Sequence, residues 1–206
     1  MINEFGKRIL SSFIILPIAF FFIFKGSELF AFFLGIIFFI TSYEWLIMNK
    51  KNNFIKSIGL IFLLSSFCSA YLLRNEKGFY FFLFIILISI LTDLGGYFFG
   101  RFFKGPKLTK ISPNKTYSGA VGSFLLSLII IQIYFSYYLS LKDLIFITLI
   151  ISLISQIGDI FISFIKRKAN FKDTGNILPG HGGLLDRFDG LIFAIPTGIL
   201  LIYILL

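Results

Sequence analysis

The chain has 206 residues, of which 57% are hydrophobic and only 14% are charged, and its mean hydropathy is +0.93. This excess of apolar residues excludes an ordinary soluble domain, whose single core could not bury them, and it indicates a multispanning membrane protein. In such a protein the net charge of +9 favours anionic lipids or phosphates as partners, and we expect no nucleic acid.

Seven apolar stretches follow one another and predict an all-α, polytopic integral membrane bundle of about seven transmembrane helices. They lie near Ile9 to Phe24, Leu29 to Met48, Ile55 to Leu73, Phe79 to Phe103, Ser118 to Leu141, Leu144 to Ile165 and Leu191 to Leu206. The first stretch follows Lys7 and Arg8 and resembles a signal peptide. We expect it to be retained as an anchor, because no small-residue cleavage site follows Phe24.

The basic residues between these stretches predict the orientation, because Lys and Arg are kept on the cytoplasmic side during insertion. Fifteen of the 19 lie in alternate connections, which leaves four in the other connections. We therefore expect a cytoplasmic N-terminus and two long cytoplasmic loops, residues 103–118 and 166–189. We predict one transmembrane domain, 1–206, with N-terminal helices in 1–78 and a catalytic half in 79–206.

The sixth apolar stretch carries a polar stripe. Serine, glutamine and aspartate side chains recur there at spacings of three and four residues, which places them on one helical face: Ser152, Ser155, Gln156, Asp159 and Ser163. An ionised Asp within a span costs about 2.5 to 3.5 kcal/mol on insertion scales. We therefore expect Asp159 to face protein, water or a cation, and an Asp paired with a base for packing alone is the alternative.

The second long loop reads KRKANFKDTGNILPGHGGLLDRFD from residue 166 to 189, a composition that helix packing in lipid does not require. Its basic side chains suit phosphate oxygens, its glycine turn offers backbone N–H groups to an anion, and Asp186 and Asp189 offer carboxylates. Hard oxygen ligands suit Mg²⁺, which bridges carboxylates and substrate phosphates. His181, the only histidine, could stabilise the turn, contact substrate or transfer a proton, and these roles stay open.

These residues form a long motif. It reads Ser163-x2-Lys166-Arg167-x4-Lys172-Asp173-x-Gly175-x2-Leu178-Pro179-Gly180-His181-Gly182-Gly183-x2-Asp186-Arg187-x-Asp189. It is preceded by Asp93, Tyr97-x2-Gly100, Ser112-Pro113-Asn114-Lys115-Thr116 and Gly158-Asp159. From about Asp93 to Leu191 the chain thereby resembles the phosphatidate cytidylyltransferases, also called CDP-diacylglycerol synthases. The N-terminal half resembles that family loosely, through its basic start and Glu44. Ile162 and Ser118 stand where the family usually has polar residues.

The resemblance implies a bacterial inner-membrane enzyme whose active site faces the cytoplasm. Its partners would be CTP, phosphatidic acid and membrane lipids, its products CDP-diacylglycerol and pyrophosphate, and a homodimer stays open. The implied cofactor is Mg²⁺ in a two-metal centre, with the ligands Asp159, Asp186 and Asp189. The residues implied in the chemistry are Asp159, Asp186, Lys172, Arg187 and His181. Those implied in binding the nucleotide and its phosphates are Ser112, Lys115, Thr116, Ser163, Lys166, Arg167, Asp173, Gly182 and Gly183.

Three other functions are weighed against this one. A CTP-dependent polyprenol or phytol kinase would have a similar architecture, but the block from Lys172-Asp173 to Asp186-Arg187 favours the phosphatidate enzyme. A CDP-alcohol phosphotransferase would need an Asp-Gly-x2-Ala-Arg motif, and Asp189-Gly190 continues without an Arg. An ion-coupled secondary transporter could use Asp93 and Asp159 as ion or proton sites, but the sequence has no visible inverted repeat and its polar groups cluster on one side.

Overall fold

The computed structural model describes residues 4–109, 111–112, 115–177 and 182–205. These residues are mostly helical, and an isolated antiparallel bridge joins Lys107 and Thr116. The helices are α1 (Glu4–Lys25), α2 (Ser27–Met48), α3 (Asn53–Leu72), α4 (Phe79–Phe103), α5 (Tyr117–Phe135), α6 (Leu141–Lys168), α7 (Leu185–Phe188) and α8 (Leu191–Leu205). A π-helical turn, Leu73–Lys77, continues α3.

Every predicted apolar stretch is a helix, which confirms the all-α fold. By length and composition, six helical segments of the described chain could cross a membrane, the last of them Leu185–Leu205, and the apolar part of α1 described as Ile15–Lys25 is shorter. Large apolar side chains such as Phe39 and Ile133 are exposed, as expected for a surface that contacts lipid. The chain is a multi-pass membrane protein.

One predicted helix end is wrong. The hydropathy pattern predicts that the fifth helix extends to Leu141. In the structure α5 ends at Phe135, and a turn separates it from α6. The Ser140 hydroxyl accepts a hydrogen bond from the Asp143 N–H (3.2 Å), and the Ser140 carbonyl accepts from the Leu144 N–H (2.9 Å). Ser140 therefore starts a new helix, and the tyrosines before it are apolar enough to hide that break from hydropathy.

The chain divides into two compact units. Unit 1 consists of Met1–Phe79 and Lys166–Phe188, and unit 2 consists of Tyr80–Ile165 and Asp189–Leu206. The second long loop therefore groups with the N-terminal helices. The sequence-based division into 1–78 and 79–206 stays a prediction.

In unit 1, α2 packs between α1 and α3. Phe22 of α1 stacks on Phe33 of α2, with ring centroids 4.9 Å apart. Trp45 near the end of α2 is buried, and its indole N–H donates to the carbonyl of Ile55 on α3 (3.3 Å). A Cβ at Gly59 of α3 would overlap this indole, so the glycine permits the close approach. These contacts fix the end of α2 that carries Glu44.

In unit 2, α4 packs closely on α5 and α6. A Cβ at Gly95 of α4 would lie 2.5 Å from the Gly122 carbonyl oxygen of α5. The Ser123 hydroxyl donates to the Thr92 carbonyl (2.6 Å), and the hydroxyls of Thr92 and Ser152 lie 2.8 Å apart. The buried end of the predicted polar stripe on α6 therefore serves helix packing.

Candidate active site

In unit 2 the first long loop and α6 bring together a predicted cation and a predicted carboxylate. The Lys115 ammonium forms an ion pair with Oδ2 of Asp159, and the two side chains are 25% and 27% exposed. Ser163, one turn later on α6, donates to Oδ1 of Asp159 over 3.4 Å, which is a weak hydrogen bond. Among the described residues, no stronger hydrogen bond to Oδ1 is present, so this oxygen keeps capacity to accept.

The loop before α5 is folded by its own backbone, and this places Lys115. The Leu108 N–H donates to the Lys115 carbonyl (2.7 Å), and the Lys115 N–H donates to the Ser112 carbonyl (3.0 Å). The Thr116 hydroxyl caps α5 by accepting from the Gly119 N–H (3.1 Å). Of the predicted nucleotide-binding residues here, Ser112 and Thr116 thus also shape the loop.

The two departures from the family have local explanations. Ser118 accepts a hydrogen bond from the Gly105 N–H (3.2 Å), and its hydroxyl lies 3.1 Å from that of Thr116, so it retains a polar role in the loop. Ile162 is 2% exposed, and a charged side chain there would be buried.

Two further carboxylates lie in unit 2. Asp93 on α4 is exposed, and it interacts electrostatically with Asp159 and Lys115. Asp189 follows α7 and is half-buried, and its Oδ1 accepts from the Gly190 N–H (3.0 Å). Asp186 therefore lies within α7, whereas Asp189 lies just after the end of this helix.

In unit 1 the second long loop forms another lysine–aspartate pair. The Lys166 ammonium donates to Oδ1 of Asp186 (2.6 Å), and these side chains are only 11% and 9% exposed. Oδ2 of Asp186 lies within hydrogen-bond distance of the Thr174 N–H (2.8 Å), the Thr174 hydroxyl (3.1 Å) and the Gly183 N–H (3.1 Å). The Asp186 carboxylate thus faces four donor groups, and loop backbone supplies two of them.

Gly182 and Gly183 lie at the end of the glycine turn, and the anion that the Gly183 N–H contacts is a carboxylate of the protein. Gly182 has φ +83°, a conformation that suits glycine, and Gly183 packs against Thr174 so closely that a Cβ would overlap the hydroxyl. The Gly183 N–H donates a hydrogen bond to Oδ2 of Asp186. Whether Gly182 and Gly183 also bind substrate stays a prediction, and His181 lies outside the described residues.

Glu44 was not among the predicted site residues, and the sequence analysis named it only as a point of loose resemblance to the family. It lies in α2, is 2% exposed, and accepts from the N–H groups of Leu184 (2.9 Å, Oε1) and Leu185 (2.7 Å, Oε2). The Thr174 hydroxyl lies 3.0 Å from Oε2. An acidic residue in an apolar span is costly, and this signal singles out Glu44 without revealing what it binds.

The other predicted residues of the second loop lie at its surface. Arg167, Lys172, Asp173 and Arg187 are all exposed. The Arg167 guanidinium donates to the Phe171 carbonyl (3.3 Å). The structure thus separates a buried pair, Lys166 and Asp186, from a set of exposed charges on the same loop.

The donor chemistry of the two carboxylates, each considered within its own unit, suits Mg²⁺ only in part. Within the described ranges, no three His, Cys, Asp or Glu side chains are grouped to hold a metal ion. Asp159 has an oxygen able to bind an ion, whereas at Asp186 the Lys166 ammonium already lies against Oδ1 and three donors face Oδ2. Water and substrate phosphates would have to complete a magnesium shell, as is usual for this ion.

The chain matches a family model with the description Cytidylyltransferase family over residues 53–205. It is also similar to proteins named phosphatidate cytidylyltransferase. The one from Staphylococcus saprophyticus is 45% identical over 135 residues, covering 63% of this chain and 52% of that protein. Those from Staphylococcus haemolyticus and Staphylococcus aureus strain COL are 43% and 44% identical over 126 residues, covering 59% of this chain and 48% of each relative.

The chain spans about half the length of the curated relatives it matches. The family match, in contrast, includes both lysine–aspartate pairs and most of the chain. These matches confirm the resemblance that the motif carries, and the chain belongs to the cytidylyltransferase family.

Proposed function

We propose that the protein transfers the cytidylyl group of CTP to phosphatidic acid, giving CDP-diacylglycerol and pyrophosphate. The observation that carries this proposal is the similarity to relatives named phosphatidate cytidylyltransferase, at 43 to 45% identity. The family match over residues 53–205 supports it, since that range contains Lys115, Asp159, Lys166 and Asp186.

The proposed reaction is a nucleotidyl transfer. A phosphate oxygen of phosphatidic acid attacks the α-phosphorus of CTP. The bond from that phosphorus to the oxygen bridging the β-phosphate breaks, and pyrophosphate leaves with the electron pair. The attacking phosphate is already largely ionised at neutral pH, so no general base is required. Because every reactant is anionic, alignment and charge neutralisation are the main tasks of the protein.

The lysines of the two pairs are suited to neutralise phosphates. The Lys166 ammonium is held by a carboxylate and is only about one-tenth exposed, so it is fixed in place and weakly screened by water. The Lys115 ammonium is about one-quarter exposed, so it can turn from Asp159 to a phosphate. Exposed Lys172 and Arg187 are proposed to attract the substrates. Mg²⁺ in the proposed two-metal centre would offset charge on the attacking and leaving oxygens, and Asp159, Asp186 and Asp189 are the proposed ligands.

The reaction is tested with purified protein, phosphatidic acid, Mg²⁺ and CTP labelled with ³²P at either the α- or the γ-phosphate. Cytidylyl transfer puts the α label in the lipid and the γ label in pyrophosphate. A γ label in the lipid would instead identify a CTP-dependent kinase. Absence of both labels from the lipid, with protein that remains folded and monodisperse, would overturn the proposal.

We further propose that the protein lies in the bacterial inner membrane with this site facing the cytoplasm, as the distribution of basic residues predicts. The test uses single cysteines in a Cys68→Ala background, because Cys68 is itself exposed. Asn176→Cys and Lys142→Cys place the probes at exposed positions. In intact cells a membrane-impermeant maleimide should label only the Lys142 probe. Labelling of the Asn176 probe without permeabilisation would contradict the orientation.

A further inference from the structure

Glu44 is a buried carboxylate on an apolar helix. It is 2% exposed, so its charge is removed from water, and such a charge is costly unless protein groups compensate it. Among the described residues, no Lys or Arg nitrogen lies within ion-pair distance of Glu44. Its compensation therefore comes from hydrogen bonds.

In the part of the chain that the structure describes, every donor that faces Glu44 belongs to the second loop. They are the N–H groups of Leu184 and Leu185 and the hydroxyl of Thr174, at 2.7 to 3.0 Å. Leu185 is the first residue of α7, so the two N–H groups belong to a helix start, where no partner within the helix is available. Glu44 thus fixes the start of α7 from a helix about 140 residues earlier in the chain.

Residues of the same loop, Thr174 among them, also contact Asp186. The Thr174 hydroxyl lies 3.0 Å from Oε2 of Glu44 and 3.1 Å from Oδ2 of Asp186, and a hydroxyl has one proton to donate. The Thr174 N–H donates to Asp186 as well (2.8 Å). A Cβ at Gly183 would overlap the Thr174 hydroxyl and lie 2.7 Å from Oε2 of Glu44, which leaves no room for a side chain there. Glu44 and Asp186 therefore both bind Thr174 and neighbouring backbone N–H groups of residues 183–185.

We propose that Glu44 is a positioning residue for the transfer reaction. It holds Thr174 and the start of α7 so that the Asp186 carboxylate and the Lys166 ammonium keep their geometry. This inference rests on the proposed function, because it takes Asp186 and Lys166 to act on the substrates. Glu44 is not proposed to contact substrate.

The test compares Glu44→Gln with Thr41→Val. Thr41 is fully buried on the same helix, and among the described residues its hydroxyl bonds only to carbonyls of α2, so its loss should leave the loop unchanged. In Glu44→Gln an amide NH₂ replaces one acceptor oxygen and faces backbone N–H groups. We expect kcat to fall about 10- to 100-fold, as for other groups that orient active-site residues. The KM for CTP should change little, because the lost interaction is not with substrate.

Hydrogen–deuterium exchange supplies a readout that does not depend on activity. In Glu44→Gln, amide exchange should rise in peptides covering residues 171–177 and 182–188 and stay unchanged in α3, whereas Thr41→Val should change neither. Glu44→Asp keeps the charge and should show the same changes at smaller amplitude. It also replaces Glu44→Gln in both assays if that variant does not fold.

Each outcome is decisive. Faster exchange in the loop with unaltered kcat would overturn the positioning role, and lost activity with unaltered exchange would point to a direct role and overturn it too. If Thr41→Val changed kcat and amide exchange as much as Glu44→Gln does, Glu44 would contribute only to general helix packing, and the positioning role would be wrong. If the wild-type protein makes no CDP-diacylglycerol, the proposed function fails, and exchange alone still decides whether Glu44 holds the loop.

Discussion

Asp186 in unit 1 faces four donor groups, whereas Asp159 in unit 2 pairs with one ammonium and one weakly bound hydroxyl. Both have a lysine partner, but the surroundings differ. Two of the donors to Asp186 are backbone N–H groups of a folded loop, which cannot move without unfolding it. The partner of Asp159 is the end of a flexible lysine side chain. The first carboxylate is therefore preorganised, and the second is free to exchange its partner for a ligand.

Burial separates the two pairs further. The Lys166–Asp186 pair is about one-tenth exposed, and the Lys115–Asp159 pair is about one-quarter exposed. Removing one partner of a buried pair costs about 3 to 5 kcal/mol, because an uncompensated charge remains. A solvated pair contributes about 0 to 1 kcal/mol. The two aspartates should therefore differ in stability even if both are required for the reaction.

The largest expected effect is on turnover. Asp186→Asn and Asp159→Asn should each lower kcat by about 100- to 1,000-fold, because each removes a charge that organises cations around the reacting phosphates. The measurement is CDP-diacylglycerol formation at saturating CTP and Mg²⁺. Near-wild-type turnover in either variant would exclude that aspartate from the chemistry. The difference between Asp186 and Asp159 would then concern stability alone.

The second prediction separates the two carboxylates by stability. Asp186→Asn should destabilise the protein by about 3 kcal/mol, since Lys166 would be left buried without its counter-charge. Asp159→Asn should cost about 1 kcal/mol or less. Thermal unfolding of both variants in detergent, measured at matched protein concentration, checks these two values. Equal losses would show that the hydrogen bonds to Asp186 add no rigidity.

Much of the fold was predictable from hydropathy, because lipid-facing helices must be apolar along their whole length. The exceptions are short and polar. The one-turn helix α7 has only four residues and no apolar period, and the start of α6 after the turn depends on the Ser140 cap. Both depend on individual hydrogen bonds, which average hydropathy does not record.

The sequence predicts a set of site residues, and it does not predict which of them pair. The motif points to Lys115, Asp159, Lys166 and Asp186 individually, but sequence spacing carries no information about which lysine meets which aspartate. The partners of Glu44 lie 130 and more residues away, so only tertiary packing reveals them. The glycine turn was expected to bind an anion, and the structure adds that a carboxylate of the protein already lies there.

The third prediction concerns the exposed cations of the unit 1 loop. Lys172→Gln and Arg187→Gln should each lower kcat/KM about tenfold, because a charge-assisted bond to phosphate contributes roughly 1.5 to 3 kcal/mol and exposure weakens it. Lys168→Gln is the matched control, since Lys168 is equally exposed and lies outside the motif. Equal effects of all three variants, each reduced by added salt, would indicate a diffuse attraction instead of specific contacts.

The smallest expected effect lies in the hydroxyls that accompany the two carboxylates. Thr174→Val removes the only proton that Glu44 and Asp186 can share at that point, so it should cost about 1 to 2 kcal/mol of stability. Ser163→Ala removes a 3.4 Å contact to a partly solvated Asp159, and it should cost no more than about 0.5 kcal/mol. Thr174→Ser keeps the hydroxyl and serves as the control for the first variant. Thermal scanning of the three variants decides the comparison: if Ser163→Ala is as destabilising as Thr174→Val, then Asp159 is held as firmly as Asp186, and the contrast between a preorganised and an exchangeable carboxylate is wrong.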